Sequence, residues 1–169
     1  MRFAIRPAQL SDAEGIARAH TASWRTSYRG ILPDAVLDRI DVDQRASSWQ
    51  RTIADRSVLT LVAYDTTHHD IVGLCDAGRN RGPTPHAAEI YRLYFEHHAR
   101  RHGLGTEMFE RVVAWLHTQG MRSLAIWVLD TNHHARRFYE ALGGKPGPRV
   151  ASRVQSFPVI EQAYVWDAI

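Results

Sequence analysis

A basic, glycine-containing loop lies between an apolar strand and an amphipathic helix, and this segment constrains the fold more than any other. Residues 89–95 read EIYRLYF, residues 97–105 read HHARRHGLG, and from Gly105 to His117 apolar residues recur at helical spacing. The first amides of a helix have no partner within the helix, and the helix dipole attracts negative charge. Arginines and glycines beside such a helix start favour an anionic group, most often phosphate. The segment therefore predicts a strand, an anion-binding loop and a helix in succession.

The residue pattern of the loop distinguishes it from two other phosphate-binding loops. A dinucleotide fingerprint GxGxxG would need a third glycine at Met108, and a P-loop would need Gly-Lys followed by Ser or Thr. The sequence contains neither. Taken alone, the segment is equally compatible with an ordinary strand-to-helix turn that has a solvated edge.

The pattern along the rest of the chain predicts a mixed α/β sheet. Strands are predicted over residues 3–6, 57–64, 71–78, 89–95, 123–129, about 150–155 and 161–166. Helices are predicted from a capping box of Ser11 and Glu14, near Pro33, near Asp43, from Gly105 to His117 and from Asn132 to about Leu142. We find no repeat and no long linker, so a single domain over residues 1–169 is expected.

Composition narrows the class of protein. Apolar residues make up 44% and charged residues 23% of the 169 residues, which is near the globular average. No apolar run is long enough to cross a bilayer, and the N-terminus lacks the apolar region of a secretory signal, so a cytoplasmic protein with no membrane partner is expected. The single cysteine, Cys75, cannot form an internal disulfide and is expected to be a small buried residue. A net charge of +3 is compatible with an anionic small molecule or with weak nucleic-acid contact.

Histidine pairs invite a test for a metal site. His98 and His102 are spaced HxxxH, but no glutamate follows the first histidine as HExxH requires. His133 and His134 are adjacent in a predicted helix and so diverge. The sequence therefore predicts no metal ligand.

Three segments together resemble the GNAT superfamily of acetyl-CoA-dependent N-acetyltransferases. RRHGLG (100–105) matches the RxxGxG pyrophosphate loop of that family, and NHHARRFYEALGG (132–144) resembles its NxxAxxFYxxxG helix. The opening IRPAQLSDAEGIARAHTASWRTSYRGILPD is similar to the first strand and paired helices of many members. The resemblance implies a single-domain α/β fold, with a mixed, mostly antiparallel central sheet of about six to seven strands. This sheet is splayed between strands 4 and 5 and flanked by helices.

The resemblance also implies where coenzyme A binds. Main-chain groups of the fourth strand should pair with the pantetheine arm, amides of the glycine loop should wrap the pyrophosphate, and the asparagine of the later helix should reach the pantetheine region. The cofactor-binding residues so expected are Leu93, Tyr94, Phe95, Arg100, Arg101, His102, Gly103, Leu104, Gly105, Thr106, Asn132, Ala135 and Phe138.

Catalysis would rest on a general acid and a base. By resemblance, Tyr139 donates a proton to the departing CoA thiolate, whereas without the motif it reads as a core aromatic residue. Glu89 stands where some protein-acetylating members carry a glutamate base, and strict alternation would put Glu89, Tyr91, Leu93 and Phe95 on one face of the strand. Glu89 reads equally well as a solvated carboxylate at a strand end, with water as the base.

The acceptor amine is not specified by the sequence. Trp24 and Tyr28 are candidate walls of the acceptor pocket, with core packing as the alternative. The expected partner is a small-molecule or peptide amine, with acetyl-CoA as co-substrate and no nucleic acid. Dimers are common among similar proteins, so the resemblance allows a homodimer. The competing hypotheses are a catalytically silent CoA-binding regulatory domain and a basic nucleic-acid-binding domain.

Overall fold

The computed structural model describes residues 2–169, which form one sheet with helices on its faces. The strands are β1 (Phe3–Pro7), β2 (Leu59–Asp65), β3 (Asp70–Arg79), β4 (Ala88–Phe95), β5 (Leu124–Leu129), β6 (Lys145–Val154) and β7 (Phe157–Trp166). The helices are α1 (Ala13–Tyr28), α2 (Asp34–Asp38), α3 (Val42–Ala54), α4 (Leu104–Thr118) and α5 (His133–Ala141). Short 3-10 turns lie at Leu10–Asp12 and His97–Ala99.

The seven strands form one mixed sheet in the order β1-β2-β3-β4-β5-β7-β6. Every neighbouring pair is antiparallel except β4 and β5, which are parallel. The prediction of a mixed, mostly antiparallel sheet that opens between strands 4 and 5 is confirmed. Among residues 2–169, no helix is long and apolar enough to cross a membrane.

The core is divided between the two faces of the sheet. The larger cluster includes Met108, Val112 and Leu116 of α4, packed with residues of the central strands. A second cluster joins Ile16 of α1 and Trp49 of α3 to the opposite face. Both α1 and α4 bury one side and expose the other, as their apolar spacing predicts. The sheet therefore separates the glycine-loop helix from the N-terminal helices.

Several element boundaries differ from the sequence predictions, and β7 begins at Phe157 rather than at Glu161. Strand β6 begins at Lys145 rather than near Val150, because pairing with β7 extends this strand through a stretch that contains two prolines. The start of α1 is not capped by Ser11. Instead the Asp12 carboxylate accepts a hydrogen bond from the Gln9 amide and forms an ion pair with Arg6. Cys75 is fully buried, as predicted.

Candidate active site

A cleft opens where β4 and β5 diverge. The two strands pair only from Ala88 to Ile90 against Leu124 to Ile126, and beyond that point they separate. The cleft has a volume of about 580 Å³. Successive amides of a strand point to opposite neighbours. Because the Glu96 amide donates to β3, the Phe95 amide points the other way, toward β5. Past Ile90, main-chain groups of β4 on this side thus lack a strand partner.

One end of the cleft is formed by main-chain amides. Among the described residues, no acceptor contacts the six consecutive amides from Arg101 to Thr106, and the helical pattern resumes with the Glu107 amide donating to Gly103. Arg101 and Gly103 both have positive φ, at 64° and 78°. A Cβ at Gly103 would meet nothing within 4 Å, so the space above its backbone is open. This end can bind an anion through backbone donors and the dipole of α4.

The second glycine of the loop has a different role. A Cβ at Gly105 would lie 2.9 Å from Cζ of Phe138 on α5, so the space is occupied by a side chain of the protein. The sequence suggested that Gly105 leaves room for a ligand. The structure shows that it lets α5 pack closely against the start of α4.

Arg100 braces the loop. Its Nε donates to the Phe95 carbonyl at 3.1 Å and its Nη2 to Ser27 Oγ at 2.9 Å. Burial lowers the pKa of its guanidinium. Arg100 lines the cleft, but these bonds tie the end of β4 to the end of α1.

Tyr139 lies inside the cleft on α5. The side chain is 6% exposed and packs against Phe138 and Tyr164, with ring centroids 5.6 and 5.9 Å away. Its hydroxyl has no hydrogen-bond partner among residues 2–169. Burial, together with nearby Tyr94 and Cys75, raises the pKa of the phenol. The group therefore stays protonated at neutral pH and has a proton free to donate.

Asn132 begins the same helix. Its Oδ1 accepts from the Ala135 amide at 3.2 Å, so it is the N-cap of α5, and both residues line the cleft. Arg136 lies between Asn132 and Tyr139 on this helix, at a spacing of four and three residues. In the structure Arg136 turns away from the cleft, because it pairs with Asp130 and donates to the Tyr164 hydroxyl.

A β-bulge at Tyr91 changes the faces of β4. Arg92 lies opposite Asp76 while Ile90 lies opposite the adjacent Ala77, which leaves Tyr91 as the extra residue. Ile90 and Leu93 consequently pack into the same cluster although three positions separate them. The prediction that alternation places residues 89, 91, 93 and 95 on one face is wrong, since the bulge resets the alternation.

Glu89 is outside the lining of the cleft. Its Oε2 accepts hydrogen bonds from the amides of Arg81 (2.8 Å) and Gly82 (3.2 Å), in the loop that follows β3. Burial raises the pKa of this carboxyl above the ordinary glutamate value, against the opposing effect of the two amides. Glu89 is thus partly desolvated, and its carboxylate contacts the loop after β3 and not the cleft.

Of the two candidate walls of the acceptor pocket, one lines the cleft and the other does not. Tyr28 lines the cleft, and its hydroxyl lies 3.2 Å from that of Tyr94. Trp24 is one turn earlier on α1, packs edge-on against Tyr28 at 4.9 Å and does not line the cleft. His102 is also outside, with its ring against Phe3 at 5.0 Å.

The structure brings most predicted site residues together and adds others. The predicted residues that line the cleft are Tyr28, Leu93, Tyr94, Phe95, Arg100, Arg101, Gly103, Leu104, Gly105, Thr106, Asn132, Ala135, Phe138 and Tyr139. Lining residues that the sequence did not single out for the site include Thr26, Ser27, Arg92, Trp127, His134 and Arg137. The last two lie inside the quoted helix motif, at its variable positions, so only their place in the structure identifies them. In the described part of the chain, no group of three or more His, Cys, Asp or Glu could hold a metal ion.

Comparison with known proteins identifies the family. The model of the acetyltransferase (GNAT) family matches residues 19–144, which include the glycine loop, the cleft and the helix of Tyr139. The chain belongs to the acetyltransferase (GNAT) family. It is accordingly an acyltransferase, and this assignment favours the enzyme over a silent regulatory domain or a nucleic-acid-binding domain.

Individual relatives agree with the family assignment. An uncharacterized N-acetyltransferase of Bacillus subtilis, YuaI, is 26% identical over 129 residues, covering 76% of this chain and 72% of its own. A probable N-acetyltransferase of Mycobacterium tuberculosis is 26% identical over 151 residues, covering 80% and 76%.

Solved structures share the fold. PaiA N-acetyltransferase from Thermoplasma acidophilum, in complex with coenzyme A, superposes with a TM-score of 0.74 at 18% identity over 96% of this chain and 98% of that one. YncA from Salmonella typhimurium, with acetyl-CoA, gives 0.72 at 14% identity over 98% and 94%. At this identity the likeness establishes the GNAT fold and no finer property.

Proposed function

We propose that the chain transfers an acetyl group from acetyl-CoA directly to a primary amine of a small molecule or peptide, with Tyr139 as general acid. The observation that supports this most is the placement of Tyr139, a buried side chain whose hydroxyl has no hydrogen-bond partner among residues 2–169, in a cleft that ends in unpaired amides. The complexes of PaiA with coenzyme A and of YncA with acetyl-CoA make the same co-substrate the natural candidate here.

The cleft fits the chemistry of coenzyme A. The amides from Arg101 to Thr106 offer donors to a diphosphate, and the open space above Gly103 lets an anion approach the backbone. Main-chain groups of β4 that lost β5 as a neighbour offer hydrogen bonds to the amides of pantetheine. When bound, acetyl-CoA supplies an activated thioester.

The residues would act on that thioester as follows. The Phe95 amide, which points toward β5, would donate to the thioester oxygen as negative charge develops there. The amine nitrogen forms a bond to the acetyl carbon while the carbon–sulfur bond breaks. Tyr139 then gives its proton to the departing sulfur. Asn132, by capping α5, holds Tyr139 at the correct depth in the cleft.

Glu89 enters the proposal as a base that works through a water molecule. Its carboxylate does not line the cleft, so direct contact with the amine is not part of the proposal. The raised pKa makes this carboxylate a better proton acceptor than an ordinary glutamate. A water between Glu89 and the amine would carry the proton away before attack.

A thiol-release assay over classes of amines tests the proposal. Wild-type protein should release free CoA from acetyl-CoA with at least one amine class, and Tyr139→Phe should reduce the rate constant strongly. Titration calorimetry with CoA should show binding for both proteins. Binding without thiol release for any amine would contradict the proposed reaction, and lack of CoA binding would contradict the placement of the co-substrate.

A further inference from the structure

Arg45 is a half-buried cation without a counterion. It lies on α3, and its guanidinium sits over the ring of Trp24 at 5.1 Å. None of the described carboxylates lies within 4.0 Å of it, and its Nη1 is buried with no hydrogen-bond partner. Removing a charged group from water costs free energy unless it is paired. A charge in this state indicates an anion that binds from outside the chain.

Two neutral donors lie in the same place. The His20 ring is 6% exposed, and because Trp49 donates to its Nδ1 at 3.4 Å, the neutral ring carries its proton on Nε2. That Nε2 is buried without a partner, as is Nε1 of Trp24. The rings of His20 and Trp24 are 6.1 Å apart. We call His20, Trp24 and Arg45 the donor cluster: each presents a buried N–H that makes no hydrogen bond within 3.5 Å to a described residue, and the Trp24 indole interacts with the Tyr94 hydroxyl.

The donor cluster adjoins the cleft on the side away from the glycine loop. His20 stacks on the ring of Tyr94 at 5.0 Å, and Tyr94 lines the cleft. Trp24 packs on Tyr28, whose hydroxyl meets that of Tyr94. The cluster sits on the α1 and α3 face of the sheet, whereas α4 covers the opposite face. An acceptor approaching from the face opposite α4 would pass this cluster.

We propose that the acceptor amine carries a carboxylate, and that Arg45, with the N–H groups of His20 and Trp24, binds that carboxylate. The inference rests on the proposed function and names its substrate class: amino-acid-like amines. Polyamines and lysine side chains, which bring positive charge, are disfavoured by the unpaired Arg45. A carboxylate can accept up to four hydrogen bonds and matches the arginine fork.

Matched acceptors provide the test. For each of the common amino acids, thiol release is measured with the free acid, its primary amide and the decarboxylated amine, with spermidine included as a polyamine. Wild-type protein should use at least one free acid with a kcat/KM at least about tenfold above those of its amide and its decarboxylated amine, because only the acid pairs with Arg45. The preference should appear mainly in KM.

Variants then connect the preference to Arg45. Arg45→Gln should reduce kcat/KM for the preferred acid by about 10- to 100-fold and leave the amide within about twofold, so the preference disappears. Arg51→Gln removes an exposed arginine from the same helix and should preserve the preference. Arg45→Met, together with thermal midpoints and CoA calorimetry for all variants, separates a binding defect from a folding defect.

The outcomes distinguish this inference from the proposed function. No thiol release with any amine overturns the proposed function. If amides, decarboxylated amines or spermidine react at rates equal to or above those of the free acids, only the inference that the acceptor carries a carboxylate is overturned. An unchanged preference in Arg45→Gln, or a lower thermal midpoint as its sole effect, also overturns the inference, because the donors would then serve only structure or an internal water.

Discussion

The two ends of the cleft are built from different parts of the polypeptide. The loop end uses backbone amides from Arg101 to Thr106, which are continuous in sequence. The proposed acceptor end would use side chains of His20, Trp24 and Arg45, which lie on two helices beside Tyr94 of β4 and outside the lining of the cleft. Backbone donors are present in any sequence that adopts the loop, whereas side-chain donors require particular residues at particular positions. The co-substrate end should therefore tolerate more side-chain changes than the proposed acceptor end.

Tyr139 stands between the two ends, and removing its hydroxyl should have the largest effect. Tyr139→Phe should lower kcat by about 100-fold or more, the contribution typical of a general acid, while the Kd for CoA stays within about threefold. A fixed-time assay of thiol release measures kcat, and titration calorimetry measures the Kd for CoA. Full activity in this variant across the pH range would exclude Tyr139 as the acid.

Anion binding by the loop can be tested with the two glycines that flank α4. Gly103→Ala should weaken CoA binding by about tenfold or more, because a methyl group would occupy the open space above the backbone, and the positive φ should cost about 1 kcal/mol of stability. Gly120 has a similar φ of 74° and open space at the other end of α4. Gly120→Ala should lose similar stability and keep CoA affinity. Equal CoA binding by both variants would argue against the loop as the anion site.

Replacing Glu89 tests whether a carboxylate outside the lining of the cleft acts as the base. Burial raises the pKa of Glu89, so its carboxylate deprotonates at a higher pH than that of an ordinary glutamate, and wild-type kcat/KM should rise with pH through that range. Glu89→Gln should lower kcat/KM by roughly fivefold to tenfold above that range and flatten the rise. An unchanged pH profile with a lower thermal midpoint would instead assign Glu89 to anchoring residues 81 and 82.

The smallest effect is expected at the outer border of the acceptor end. Gln155, in the turn between β6 and β7, donates to the Val36 carbonyl of α2 at 3.1 Å and so joins these two segments. Gln155→Ala removes one hydrogen bond, and the KM for the amine should rise by about twofold to threefold without a change in CoA affinity. A larger change in CoA affinity than in the amine KM would contradict the division between the two ends.

The difference between the two ends also explains what the sequence could predict. The loop and α4 are local, since helical spacing and a run of six residues specify them, and nearly all of the expected cofactor residues do line the cleft. Residue positions set by distant contacts were not predictable. The guanidinium of Arg100 donates to Ser27 on α1 although the residue lines the cleft, and that of Arg136 donates to Tyr164 on β7, because residues far along the chain supply their partners.

The acceptor end depends on such distant contacts almost entirely. Arg45 has no motif around it, and its lack of a counterion becomes visible only when α3 is packed against α1. The sequence left Trp24 open between a pocket wall and core packing, and in the structure it packs against Tyr28 outside the lining of the cleft. A single sequence specifies which residues are aromatic or charged, and tertiary packing decides which of them face a common space.

The extra residue in β4 is a position at which this strand can lose a residue without exchanging its faces. Removing Tyr91 would restore strict alternation and keep Ile90 and Leu93 on their common face, because they would then be two positions apart. Removing Leu93 instead would bring Tyr94 to the apolar face that Leu93 now occupies, because every side chain beyond that point would exchange faces. A deletion of one codon should therefore be tolerated far better at Tyr91 than at Leu93.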